Sequence, residues 1–127
     1  MPHASLCLAM RLPKHLFDAI TAARRAVDFT VGLDADTYAA DVMVRSAVER
    51  QLEILGEACR RAIEEDADFR TRLPEAALAV ALRNRIIHGY DKLEHSVLLD
   101  TVQRDLPSMI AALEAELAAA TRDDGSG

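Results

Sequence analysis

The segment "RNRIIHGY", from Arg83 to Tyr90, carries the side chains of this sequence that are best suited to acid–base and phosphate chemistry. The imidazole of His88 titrates near neutral pH and can exchange a proton with a reacting group. The guanidinium of Arg83 stays charged and binds phosphate oxygens through paired hydrogen bonds. A histidine that activates a ribose 2′-hydroxyl, beside an arginine that stabilises charge on phosphorus, is close to the minimum for RNA cleavage without a metal ion. These two residues are the candidate catalytic pair.

The other polar residues of the segment are candidates for supporting roles. Asn84 can orient the imidazole or a substrate oxygen, and Arg85 adds a second cation. Tyr90 can donate a hydrogen bond to phosphate or stack on a base. Because one histidine is not both base and acid without changing roles, a two-fold dimer would supply both groups from two copies.

The spacing of Arg83 and His88 does not suit a straight helix. Five residues correspond to about 140° around the helix axis, whereas Asn84 and His88, four residues apart, share a face. Either the helix ends near His88 and Gly89 redirects the chain, or a second chain supplies the missing partner. A purely structural role is also open, because a histidine at a helix C-terminus complements the helix dipole and can bond free carbonyls.

The composition of the chain is that of a helical domain. Half of the 127 residues are apolar but only 4% are aromatic, and alanine and leucine dominate. This mixture favours packed helices over sheets, so we predict an all-α, up-and-down bundle of about four helices. We expect one domain over residues 1–127, with its core at about 14–118 and a disordered tail at 121–127.

The hydrophobic periodicity places the helices of this bundle. In chain order they are expected from Pro13 to about Gly32, from about 37 to 66, from Pro74 to Gly89, and from a Ser96 cap to about Leu117. Gly89 is suited to end its helix in a left-handed conformation. Pro107 should bend the last helix, because it removes a hydrogen bond and crowds the preceding turn. The residues of the third helix expected to face the core are Leu78, Ala81, Leu82 and Ile86.

The charge distribution separates the whole chain from the candidate site. The net charge of −6 argues against a nucleic-acid or anionic-membrane binder that works through overall charge. From Arg83 to Lys92 there are three cations and one anion, which gives +2. Three further arginines can add to this patch: Arg60, Arg61 and Arg72. Such a patch should bind RNA weakly and lose affinity as salt rises.

The remaining sequence features point to a cytoplasmic protein. No apolar run approaches the ~20 residues that a membrane span needs, and the beginning of the chain lacks the basic leader of a signal peptide. Cys7 and Cys59 are far apart and lack the spacing of a metal site, so we expect two reduced thiols. The histidines outside the cluster have no partner at metal-ligand spacing either.

Two segments of the chain together resemble the HEPN superfamily, in particular its HepT-like toxins. The cluster matches the Arg-x-x-x-x-His-x-Tyr signature, and the segment from Ser46 to Ala62 resembles that family's second helix, with the pattern Glu-x-x-Leu-x-x-x-Gly-Glu-Ala. The stretch from Leu73 to Leu113 follows the order seen in the family: a helix that opens with proline, then the motif, then Asp-Leu-Pro within the last helix. The resemblance covers about residues 14–118. Two departures are Ala76, near a place where the family often has tryptophan, and a first segment of thirteen residues without an assigned role.

This resemblance implies a metal-independent endoribonuclease that acts as the toxin of a toxin–antitoxin pair and needs no cofactor. Members of the family are typically homodimers in which two Arg/His motifs meet in a cleft at the interface. Carried over to this sequence, Arg83 and His88 are catalytic and Asn84 supports them. The antitoxin resembles a minimal nucleotidyltransferase (MntA-like) that uses ATP, and it neutralises the toxin by binding it and by adenylylating Tyr90.

The sequence leaves open the function of the chain and the role of Glu57. The chain can instead be a non-catalytic subunit that binds a nucleotide or a substrate for a nucleotidyltransferase partner. Glu57, in the Gly-Glu-Ala pattern, can either reach the cleft or form an ion pair between helices.

Overall fold

In a computed structural model, the backbone is described for residues 2–89 and 93–126, and the side chains for residues 11–89 and 93–122. Every regular element in these ranges is helical, which confirms the all-α prediction. The elements are α1 (Pro2–Phe29), α2 (Ala35–Ala40), α3 (Val42–Glu65), α4 (Phe69–Arg72), α5 (Glu75–His88), α6 (His95–Asp100), a π-helical turn (Thr101–Asp105) and α7 (Leu106–Ser126).

The two long helices α1 and α3 form the centre of the bundle. Helix α1 packs against both α3 and α7, and α3 also packs against α5. The core is mostly leucine and alanine, and it also contains the buried rings of Tyr38 and Phe69. Helix α5, which carries the candidate catalytic residues, therefore rests on the core through α3.

The predicted second helix, from about 37 to 66, is wrong in one respect, because it is two helices. Asp41 has an extended backbone (φ −100°, ψ 93°) between α2 and α3. Its carboxylate accepts a hydrogen bond from the Val44 amide at 3.0 Å, which caps α3. The periodic apolar residues that suggested one helix all lie within α3, so their spacing did not reveal the break; they are Val44, Val48, Leu52, Leu55, Cys59 and Ile63.

The predicted starts of the first and last helices are also wrong. Helix α1 begins at Pro2, and Pro13 lies inside it, since a proline removes only one intrahelical hydrogen bond and does not by itself set a helix start. Helix α6 begins at His95, with Glu94 rather than Ser96 in the capping position.

The perturbation expected at Pro107 takes the form of the π-helical turn just before it. The amide of Leu106 donates to the carbonyl of Thr101, five residues earlier. A proline lacks the amide hydrogen and crowds the carbonyl four residues before it, so a wider turn makes room for Pro107. From the same turn, the Gln103 amide donates to the carbonyls of Thr30 and Leu33 at 2.9 and 3.0 Å.

The face that α5 turns to the core differs from the predicted one. Ala76 and Ala79 are buried, whereas Leu78 is 69% exposed. Leu82 and Ile86 are partly buried against the core. The helix is therefore rotated by about a quarter of a turn, with its small side chains against α3.

Two further expectations concern the ends of the chain and its thiols. Helix α7 runs to Ser126, through part of the segment expected to be a tail, and the disorder of that segment stays a prediction. The Cys59 thiol is buried and free, and this burial raises its pKa to about 12. The Cys7 side chain lies outside the described residues.

In the described part of the chain, no helix combines the length and the apolar character that crossing a membrane requires.

Candidate active site

Helix α5 positions the candidate cluster and ends where the sequence predicts. It begins after Pro74 and stays helical through His88. Gly89 then has φ +64°, in the left-handed region that favours glycine, and its amide donates to the Arg85 carbonyl at 3.1 Å. His88 is therefore the last helical residue, and it is exposed, as is Arg85. Tyr90 lies outside the described residues.

The Arg83 side chain lies over α3 and is only 26% exposed. Its Nη2 is 3.9 Å from Glu57 Oε1, and its Nη1 donates to Asn84 Oδ1 at 3.2 Å. Asn84 thus contacts Arg83, whereas the sequence suggested that it could orient the imidazole or a substrate oxygen. The Arg83–Glu57 pair is the inter-helix ion pair left open for Glu57.

Gly56 is what allows Arg83 to lie this close to α3. A Cβ atom at position 56 would be 2.3 Å from Arg83 Cβ and 2.9 Å from the Ala79 carbonyl oxygen. Only a glycine fits this approach. The structural role of Gly56 was missed from the sequence, although a glycine in the middle of a helical pattern is unfavourable by about 1 kcal/mol and often marks a close contact.

Glu57 organises the arginines around Arg83. It accepts hydrogen bonds from Arg60 Nε at 2.7 Å and Arg60 Nη2 at 3.0 Å, and from Arg61 Nε at 3.4 Å. The hydrogen bonds from Arg60, with the charges of Arg60 and Arg83, lower the pKa of Glu57 to about 2. The carboxylate is therefore ionised at neutral pH and opposes a cluster of three guanidinium groups.

Glu57 should make the stability of the fold depend on pH. Its folded-state pKa of about 2 lies below the ordinary 4.5. A group with a lowered folded-state pKa stabilises the fold above its unfolded pKa, and this contribution is lost as the pH falls towards the folded value. We expect Glu57→Gln to lower the free energy of unfolding near pH 7, and this loss to shrink steadily from about pH 4.5 to about pH 2.

Urea unfolding of both proteins across this pH range measures the effect. Asp100→Asn is a suitable control, because Asp100 is exposed and pairs only with exposed Arg104 among the described contacts. An exposed pair contributes little, so the control should stay close to the wild type throughout. A Glu57→Gln difference that is constant from neutral to acid pH would contradict the assignment.

Arg83 and His88 occupy different places on α5. The helix is regular between them, so they are about 140° and ~7.5 Å apart along it. Arg83 is directed to α3, whereas His88 is exposed at the helix end. The turn at Gly89 begins only after His88.

The wider basic patch is smaller than the sequence suggested. Arg60 and Arg61 lie beside Glu57 on α3. Arg72 instead bridges Asp66 and Glu116, at 2.8 and 2.9 Å, and so ties α4 to α7. Among the residues whose side chains are described, no group of three or more His, Cys, Asp or Glu is arranged to hold a metal ion.

The chain matches a family of known proteins. The family model described as Ribonuclease HepT-like matches residues 19–116, which include the whole of α3 and α5. A protein of Methanocaldococcus jannaschii that is provisionally named an RNase is 34% identical over 101 residues, covering 78% of this chain and 90% of that protein. A protein of Thermococcus cleftensis, provisionally named ribonuclease HepT, is 29% identical over 100 residues, covering 79% of this chain and 90% of its own length. No solved structure matches the chain significantly. By the extent of the family match, the chain belongs to the ribonuclease HepT-like family.

Proposed function

We propose that the protein is a metal-independent endoribonuclease, the toxin of a toxin–antitoxin pair, and that Arg83 and His88 cleave RNA in a cleft between two copies of the chain. The observation that carries this proposal is the arrangement of α5. A guanidinium is held in place over α3 by Glu57 and Asn84, and an imidazole stands at the exposed end of the same helix, in a chain of a ribonuclease family.

The proposed reaction is an attack of the ribose 2′-hydroxyl on the adjacent phosphorus. The His88 imidazole of one copy accepts the 2′-hydroxyl proton as the new O–P bond forms. Arg83 hydrogen bonds to the non-bridging oxygens, where negative charge develops. The His88 of the second copy donates a proton to the 5′ oxygen as its bond to phosphorus breaks. The products are a 2′,3′-cyclic phosphate and a 5′-hydroxyl.

The regularity of α5 supports the role of a second copy. Arg83 and His88 could be brought to one phosphate either by a turn of the same chain or by a second chain. A turn of the same chain would have to begin before His88 in order to redirect its side chain. The helix continues through His88, which leaves a second chain as the favoured route. A two-fold axis near the end of α5 would place two imidazoles in one cleft and supply an acid and a base together.

The proposed antitoxin is a nucleotidyltransferase that binds this chain and uses ATP to adenylylate Tyr90. In that step the phenol oxygen attacks the α-phosphate, the phenol proton is released and pyrophosphate leaves. Tyr90 follows His88 by two residues. An anionic nucleotide bonded two residues from His88 in the sequence would repel the RNA phosphate.

The dimeric site makes a quantitative prediction for mixed subunits. Wild type and His88→Ala are mixed at constant total protein, allowed to exchange, and assayed on labelled RNA in EDTA. If both imidazoles are needed, activity should follow the square of the wild-type fraction, so an equal mixture retains about a quarter of the activity rather than about half.

Each result of this assay has a clear meaning. A linear dependence would show that each subunit works alone, once exchange is verified with a tagged wild type. Loss of cleavage in EDTA would contradict metal independence. A chain that binds a nucleotidyltransferase tightly but cleaves no RNA would instead support the non-catalytic subunit.

A further inference from the structure

A groove between α1 and α3 runs beside the Arg83 site. Its lining includes an aromatic ring, an amide and charged groups: Phe17, Asp18, Arg25, Gln51, Glu57 and Arg61. We call it the α1/α3 groove. Glu57 lines this groove and also lies 3.9 Å from the Arg83 guanidinium. The α1/α3 groove and Arg83 are therefore adjacent, on either side of one carboxylate.

The aromatic ring of the α1/α3 groove is open to solvent. Phe17 is 59% exposed, although a phenylalanine gains free energy when it is removed from water. Isolated exposed apolar residues are common, but Phe17 shares its groove with Arg25 and Arg61. An aromatic face between cations is the combination that binds single-stranded nucleic acid, by base stacking and phosphate contacts.

The carboxylates of the α1/α3 groove leave its cations partly available to a ligand, because they pair mainly with cations outside the groove. Asp18 pairs with Lys14 at 2.9 Å. Glu57 is held mainly by Arg60, at 2.7 and 3.0 Å. Arg61, 56% exposed, is the more distant partner of Glu57 at 3.4 Å. Arg25 is exposed, and no hydrogen bond or ion pair joins it to the other described residues.

We propose that the α1/α3 groove binds one nucleotide of the RNA that flanks the cleaved bond. The base stacks on the exposed ring of Phe17. The adjoining phosphates contact Arg25 and Arg61, and the strand continues past Glu57 to Arg83. This inference rests on the proposed ribonuclease function, and it names where the substrate lies outside the reacting phosphate.

Phe17→Ala tests this subsite through substrates of different length. On a single-stranded RNA of about ten nucleotides we expect KM to rise about tenfold with kcat unchanged, because stacking of one base is lost. On a dinucleotide, which spans only the reacting phosphate, Phe17→Ala and wild type should have equal kcat and KM. A substitution that merely disturbed the fold would affect both substrates.

The matched control is Phe29→Ala, an exposed phenylalanine of the same helix outside the α1/α3 groove, which should leave both substrates unaffected. Arg25→Ala should raise KM for the long RNA and reduce its dependence on salt. Thermal unfolding checks that each variant is folded.

The outcomes separate this inference from the proposed function. If the wild type cleaves RNA but Phe17→Ala leaves KM unchanged on the long substrate, the subsite is wrong and the ribonuclease stands. If Phe17→Ala instead weakens the dimer in sedimentation, the α1/α3 groove is a protein contact and the inference is overturned. If the wild type cleaves no RNA, the proposed function falls. Anisotropy with the same labelled RNA then decides the subsite, and equal binding by wild type and Phe17→Ala would overturn it.

Discussion

His88→Ala is expected to lower the rate of RNA cleavage by about 100- to 10,000-fold, the usual contribution of a positioned acid or base. The substitution should leave the fold almost intact. His88 is exposed at the last position of α5, so the variant removes little buried surface from the core. Single-turnover cleavage of a labelled RNA, with urea unfolding of the same samples, measures both effects.

One control variant and one further test of the proposed site accompany this prediction. His95→Ala removes an imidazole that packs edge-on to the Tyr38 ring, with centroids 6.2 Å apart, and it should reduce stability while sparing cleavage. Arg83→Lys keeps the charge but loses the planar, paired donors, so it should reduce cleavage more than it reduces stability. Cleavage at the wild-type rate by His88→Ala would remove the histidine from the mechanism and leave it as a helix cap.

Gly56→Ala is expected to destabilise the fold and displace Arg83 together. The new Cβ would lie 2.3 Å from Arg83 Cβ and 2.9 Å from the Ala79 carbonyl oxygen. Neither atom belongs to the free end of a side chain, so α5 must move away from α3. Overpacking of this kind costs about 1–3 kcal/mol or more, while the better helix propensity of alanine returns only about 1 kcal/mol. We expect a net loss of stability and a reduced kcat for RNA cleavage.

Ala81→Gly supplies the propensity control for this variant. Ala81 is an exposed position of α5, and the change there should cost only the intrinsic difference of about 1 kcal/mol. Urea unfolding and steady-state cleavage are measured for both variants. Propensity alone would make Gly56→Ala more stable than the wild type, so an increase in stability would refute the close contact as a constraint.

The orientation of α5 shows the limit of prediction from the sequence. The helix and its end at Gly89 follow from local patterns: an opening proline, apolar spacing and a terminal glycine. Its core face does not, because hydrophobicity ranks Leu78 above Ala76 and Ala79, whereas Leu78 is 69% exposed. That choice of face depends on the room at Gly56, a feature of a different helix.

The contacts of the candidate site, like the orientation of α5, could be predicted from the sequence only in part. The residue types of Arg83 and His88 suggest their chemistry, and their five-residue spacing indicates that one straight helix separates them. The pair between Arg83 and Glu57 joins residues far apart in the chain. Several carboxylates could have been its partner, and only the packing of α5 on α3 selects one.

The break at Asp41 escaped detection because an aspartate that caps a helix and one on an exposed helix face look alike in a single sequence.

The long-range hydrogen bonds of Gln103 bear on the order in which parts of the fold form during synthesis. Its amide donates to carbonyls 73 and 70 residues earlier, so the backbone just after α1 obtains these hydrogen bonds from a late part of the polypeptide. Arg83 and His88 lie between the two partners in the sequence. They leave the ribosome before the segment that closes the bundle, and contacts of such long separation form late in folding. The candidate catalytic side chains are thus made before the scaffold that holds them is closed.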